Sequence, residues 1–95
     1  PAPDLVIEIL SDSTEAIDRG VKFEDYALHG VAEYWLVDPE QESVEQYLLG
    51  DEAYELAVKV KSGTIQSAVV SGFEIPVRAI FDPAEQFTVL QALLR

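Results

Sequence analysis

The sequence predicts an α/β fold, a mixed sheet flanked by helices, on three observations. The run Asp4-Leu5-Val6-Ile7-Glu8-Ile9-Leu10-Ser11 is rich in branched aliphatics and does not alternate, which suits a strand covered on both faces. A helical stretch separates it from an aromatic and β-branched strand, so the two strands should lie side by side, joined by a short crossover. Beyond Asp38, short alternating runs divided by turn residues read as an antiparallel meander.

Taken in order, Ser11-Asp12-Ser13-Thr14 competes for backbone hydrogen bonds and forms a turn. Asp12 followed by Glu15 resembles a capping box, so a helix should start near Thr14. It should run through Ile17, Val21, Phe23, Tyr26 and Ala27 and stop at His29-Gly30, with Gly30 just past the end. Glu33-Tyr34-Trp35-Leu36-Val37 is the second strand and ends at Asp38-Pro39. Val44 to Leu49 forms a hairpin with it. Tyr54 to Val60 follows, with Tyr54, Leu56, Val58 and Val60 expected on one face. Ile65–Val70 and Phe73–Val77 are short extended pieces. Asp82-Pro83-Ala84-Glu85 is a second capping box, opening a terminal helix with Phe87, Leu90, Leu93 and Leu94 on its inner face.

The chain has 95 residues and 48% hydrophobic content, enough for one small domain or part of a larger one. A domain this small buries only about 60 to 65% of the surface its unfolded chain exposes. It contains no methionine and opens on Pro1 directly before the first strand, so residues 1–95 are expected to form a single partial domain, the C-terminal part of a longer protein. Absence of cysteine excludes disulfides and thiolate metal sites and is compatible with a cytoplasmic location. No segment is long and apolar enough for a membrane helix. A net charge of −12 counts against the basic patch usual in nucleic-acid binders, although a local cationic groove can coexist with an acidic exterior.

Glu8 is the acid that demands an explanation. A carboxylate inside such a strand needs a cation, a hydrogen-bond donor or a proton. Two readings stand: a metal ligand at the inner end of the strand, or an acid at a solvated strand end or paired with an arginine. Asp18, Lys22 and Tyr26 recur at four-residue intervals on one helix stripe that can project over the strand's C-terminal edge, a common place for sites in open α/β sheets. Lys22 is the best cation to reach Glu8, against the plainer reading of an Asp18–Lys22 surface pair. Asp4 shares a strand face with Glu8 but lies roughly 13 Å away at strand rise, too far to bind one ion with it. His29, the only histidine, suits the helix C-terminus and argues against a zinc site. Tyr34 and Trp35 are core residues in preference to a base-stacking platform. Neither a serine-hydrolase elbow nor a glycine-rich phosphate loop is present.

The segments Pro3 to Ser11, Ser13-Thr14, Asp18, Lys22, Tyr26, Gly30-Val31 and Glu33 to Pro39 resemble the Uma-two family of restriction endonuclease-like proteins, a branch of the PD-(D/E)XK nuclease superfamily. The resemblance spans roughly Pro1 to Asp82, with a weaker match at Ser71 to Pro76. It implies the C-terminal portion of a restriction endonuclease-like fold and a metal-dependent phosphodiesterase holding Mg²⁺ or Mn²⁺. On this resemblance Glu8 and Lys22 are catalytic, and Glu8 and the backbone carbonyl of Ile9 are metal ligands. The motif's lysine would fall at Leu10, where this chain departs from the general pattern, and Lys22 takes its place. The motif's first aspartate is expected upstream of Pro1, so the chain alone should be inactive. The implied function is a metal-dependent DNA endonuclease, with DNA and a second copy of the chain as partners. The competing class is a non-catalytic nuclease-like module for protein interaction or dimerisation, with Glu8 and Lys22 as a structural ion pair.

Overall fold

The computed structural model describes residues 3–82. Its elements run β1 (Leu5–Ile9), α1 (Glu15–Arg19), α2 (Val21–Leu28), β2 (Glu33–Asp38), β3 (Ser43–Leu49), β4 (Tyr54–Val60), β5 (Thr64–Gln66), β6 (Glu74–Pro76) and α3 (Val77–Phe81). β1 to β4 form one sheet in that spatial order, and β5 and β6 form a separate two-stranded sheet. β1 runs parallel to β2, while the β2–β3 and β3–β4 pairs are antiparallel. The predicted mixed α/β sheet is therefore present. The terminal helix predicted from Asp82 onward lies outside the described residues.

Side-chain alternation divides the packing into two layers. On one face Tyr34, Leu36 and Leu10 are buried against Phe23 and Tyr26 of α2, with Tyr47 and Tyr54 beside them. Phe23 meets the Tyr34 and Tyr47 rings edge-on at 5.2 and 4.6 Å. On the other face Trp35, Val37 and Val44 pack against Ile65, Ile75 and Val77. Tyr34 and Trp35 are both fully buried, as core residues, and point to opposite layers.

Several local expectations are corrected. β1 is an edge strand of the described sheet, not a central one, and its residues are only half-buried, with Ile9 57% exposed. The predicted single helix breaks at Gly20, where a Cβ would stand 2.9 Å from the Ala16 carbonyl oxygen. Thr14 occupies the N-cap, but its hydroxyl makes no cap bond and instead accepts from the Ser11 N–H. The far end follows the glycine rule: Gly30 has φ +75°, and the Val31 and Gly30 N–H groups bond to the Tyr26 and Ala27 carbonyls. In β4, Val58 pairs with Gln46 but Leu56 pairs with Tyr47, so a bulge at Ala57 splits the apolar set. Tyr54 joins the helix-side cluster and Val60 the opposite one. β5 stops at Gln66, and Val77 starts a helix rather than ending a strand.

Glu33 explains why the segment after β5 is not extended. Its fully buried carboxylate accepts hydrogen bonds from Trp35 Nε1 (2.5 Å), Gln46 Nε2 (2.7 Å), Ser67 Oγ (2.8 Å) and the backbone N–H groups of Ala68 (2.9 Å) and Val69 (3.1 Å). One acid at the start of β2 thus fastens a loop to the sheet. Burial pushes the Glu33 pKa up, but the donors, led by Gln46 and Trp35, outweigh it and hold the carboxyl below its usual value of 4.5. A folded pKa below the unfolded one adds stability that is complete above the unfolded value and lost as pH falls through the folded value. The urea midpoint should accordingly be flat from pH 7 down to about 5 and decline in acid. Glu33→Gln should flatten that acid decline and cost about 2 to 4 kcal/mol at pH 7, because an amide group would face donors.

Candidate active site

Parallel pairing of β1 with β2 requires the chain to cross over one face of the sheet, and α1 and α2 are that crossover. The crossover carries Lys22 and Tyr26 onto the face to which Glu8 points. Tyr26 Oη donates to Glu8 Oε1 at 2.8 Å, and Lys22 Nζ lies 3.4 Å from Glu8 Oε2. Lys22 Nζ is also 3.0 Å from Asp18 Oδ1. The structure thus brings together the stripe Asp18, Lys22 and Tyr26 with Glu8, despite the helix break inside it.

The two acids differ in access. The Glu8 side chain is 24% exposed, so both its oxygens have partners while solvent still reaches it. The Asp18 side chain is 2% exposed, so the Asp18–Lys22 pair, which the plainer reading put at the surface, is anchored on a buried acid. Contact with Asp18, assisted by Glu8, raises the Lys22 pKa above the usual lysine value against a smaller opposing effect of burial. Tyr26 is likewise held above its usual value, first by its bond to Glu8 and then by burial, and stays a donor.

Ile9 closes β1. The bonds from Leu10 N–H to the Val37 carbonyl and from Glu33 N–H to the Asp4 carbonyl show that even-numbered residues of this stretch face β2. In a parallel ladder the odd residues turn the other way, so the Ile9 carbonyl is directed to the edge of β1 that no strand pairs with among the described residues. Among the described residues no three of His, Cys, Asp or Glu converge as a metal cage. Glu8 nevertheless fits one position of a hard divalent ion: it is a carboxylate at a partly open strand end, and Mg²⁺ is commonly held by one or two carboxylates with water and phosphate oxygens. Asp18 does not fit as a second, being enclosed and turned onto Lys22.

A second acidic cluster on the same face was not foreseen from the sequence. Glu45, 4% exposed, is gripped by both terminal nitrogens of Arg19 at 3.0 and 2.6 Å and accepts a short hydrogen bond from Tyr47. The Arg19 contact, opposed by burial, lowers the Glu45 pKa. Register places Glu8, Leu36, Glu45 and Lys59 in one row across the four strands. The signal in the sequence was the i, i+4 pair Glu15–Arg19, but its second partner, Glu45, is 26 residues away. His29 takes only a helix-end role, with Nδ1 2.8 Å from the Asp25 carbonyl oxygen.

The chain matches the family model Uma2, described as "Putative restriction endonuclease", over residues 1–78. Among solved structures it is similar to a protein from Anabaena variabilis ATCC 29413 described as a putative nuclease belonging to DUF820. The TM-score is 0.64 at 23% sequence identity, covering 84% of this chain and 44% of that one. At that identity the likeness shows the fold, and the chain spans less than half the length of the solved protein. No curated protein matches the chain.

Tyr26→Phe removes the one neutral side-chain donor to Glu8 among the described residues. It should destabilise the fold by about 1 to 2 kcal/mol in urea unfolding at pH 7, since the lost bond goes to a charged but partly solvated group.

Proposed function

The chain belongs to the Uma2 family, and from that premise we propose that it carries the catalytic half of a metal-dependent DNA endonuclease, with Glu8 and Lys22 as its acting residues. The observation that carries the reading is the convergence of Lys22 and Tyr26 on Glu8, whose side chain is still 24% exposed near the C-terminal end of β1. The fold shared with the Anabaena protein supports it.

In this reading Glu8 would hold a Mg²⁺ or Mn²⁺ ion, and the Ile9 carbonyl would supply a further oxygen. The ion, when bound, contributes Lewis-acid stabilisation of the phosphodiester and a lowered pKa of water. Tyr26 fixes the rotamer of Glu8 by occupying one carboxylate oxygen and leaves that oxygen a free lone pair. Lys22, kept cationic by its neighbouring acids, offsets the charge that builds on the phosphoryl oxygens as the nucleophile adds. The second carboxylate would come from a strand added to the open edge of β1 by the rest of the protein, so residues 1–95 are one partial domain and inactive alone. A second copy of the chain suits the far edge, where β4 leaves Leu56 and Val58 54% and 40% exposed.

One observation favours a non-catalytic module: Glu8 already has an ion-pair partner in Lys22 and a hydrogen-bond donor in Tyr26, as a structural acid would. Cleavage decides between them. The whole protein should nick supercoiled plasmid with Mg²⁺ or Mn²⁺, and Glu8→Gln and Lys22→Met should each lower the rate by about 100-fold or more. Absence of cleavage by the unmutated whole protein under both metals would sink the nuclease reading.

A further inference from the structure

We propose that Asp18 is a positioning residue whose buried carboxylate holds the Lys22 ammonium against Glu8. The inference rests on the nuclease reading for what Lys22 does in the reaction, but not for where its charge is held.

A lysine head on a flexible four-carbon stem ordinarily stays solvated and samples many rotamers. Lys22 has that freedom in principle, since 36% of its side chain is exposed. Its nitrogen, however, is closer to Asp18 at 3.0 Å than to Glu8 at 3.4 Å. Asp18 is the immobile partner: its side chain is 2% exposed, and among the described residues Lys22 is its only ion-pair partner. The anchor is tied down in turn. The Asp18 N–H bonds to the Thr14 carbonyl at 2.8 Å, and the Asp18 carbonyl accepts from the hydroxyl of Tyr34 at 3.2 Å. Tyr34 is fully buried in β2, so the sheet centre fixes α1 at the residue that fixes the lysine.

Stability alone does not account for a carboxylate at this place. An apolar side chain of similar size would avoid the desolvation that a buried acid incurs. Nor is this an ordinary i, i+4 helix pair, because Gly20 ends α1 between the two residues and Lys22 belongs to α2. The ion pair spans the break and sets the direction in which the α2 lysine points. Glu8 then meets a cation whose location is decided by α1 and the sheet, and Tyr26 fixes Glu8 from the other side. Both charged groups of the centre are thus held from behind by residues that need not touch substrate.

The test reads the order of the Lys22 side-chain nitrogen by NMR in the isotopically labelled whole protein, together with steady-state cleavage. Lys22 should be ordered in the unmutated protein, lose that order in Asp18→Asn, and keep it in Glu8→Gln. With Asp18→Asn the kcat should fall about 10- to 100-fold at unchanged KM. If Asp18→Asn does not fold, Tyr34→Phe decides, since it frees the Asp18 carbonyl without changing any charge: reduced Lys22 order supports the role, and undiminished order overturns it. Lys22 order that survives Asp18→Asn, or that vanishes in Glu8→Gln instead, overturns it equally. The predicted NMR pattern in a protein that cleaves nothing would retain Asp18 as the anchor and defeat only the nuclease reading.

Discussion

The cost of burying carboxylates organises this domain. A chain with 18 acidic residues and 6 Lys and Arg folds Asp18, Glu33, Asp38 and Glu45 into its interior and brings Glu8 to the edge of it. Each isolated buried charge would cost several kcal/mol, comparable to the whole stability of a domain this size. Every one of the five therefore has designated partners, Asp38 accepting from the backbone N–H groups of Glu40 and Gln41. Arg19 answers Glu45, Lys22 answers Asp18 and Glu8, and Glu33, in no ion pair among the described residues, is surrounded by neutral donors. These contacts cross between elements, so the same bonds that neutralise the acids also set the helices on the sheet and seat the loop after β5.

Saturation separates structure from chemistry among these acids. Glu33 accepts five hydrogen bonds with no exposed surface, and Glu45 is enclosed by an arginine fork and a phenol. Neither has room for a ligand. Asp18 is closed as well, but its partner is not. Glu8 alone combines fixed contacts with solvent access and sits where a parallel strand ends. Preorganised charge beside an accessible carboxylate is what metal-assisted hydrolysis requires of a protein scaffold.

What the sequence disclosed follows from the range of the forces involved. Local rules located β1, β2 and the β2–β3 hairpin, placed Gly30 past the helix end, and brought the Asp18, Lys22 and Tyr26 stripe over Glu8, because period, caps and turn residues act within a few positions. The misses are non-local. The break at Gly20 depends on the Ala16 carbonyl and on how α2 must lie on the sheet. The bulge in β4 depends on the register with Gln46 and Tyr47, and α3 on packing beside β6. Glu33 and Glu45 drew no role from the sequence, since their partners at Ser67 to Val69 and Arg19 lie far along the chain. The plainer alternative, an Asp18–Lys22 surface pair, missed the burial of Asp18 for a similar reason: helical spacing reports which residues are neighbours, not how deeply the stripe is set.

Whether Glu8 is a ligand or half of a closed ion pair is tested most directly by Mn²⁺ affinity. Titration of the whole protein followed by electron paramagnetic resonance should show a bound Mn²⁺ that Glu8→Gln abolishes, with the melting temperature nearly unchanged. A variant that melts markedly lower while leaving Mn²⁺ binding intact would contradict the account and make Glu8 a structural partner of Lys22 and Tyr26.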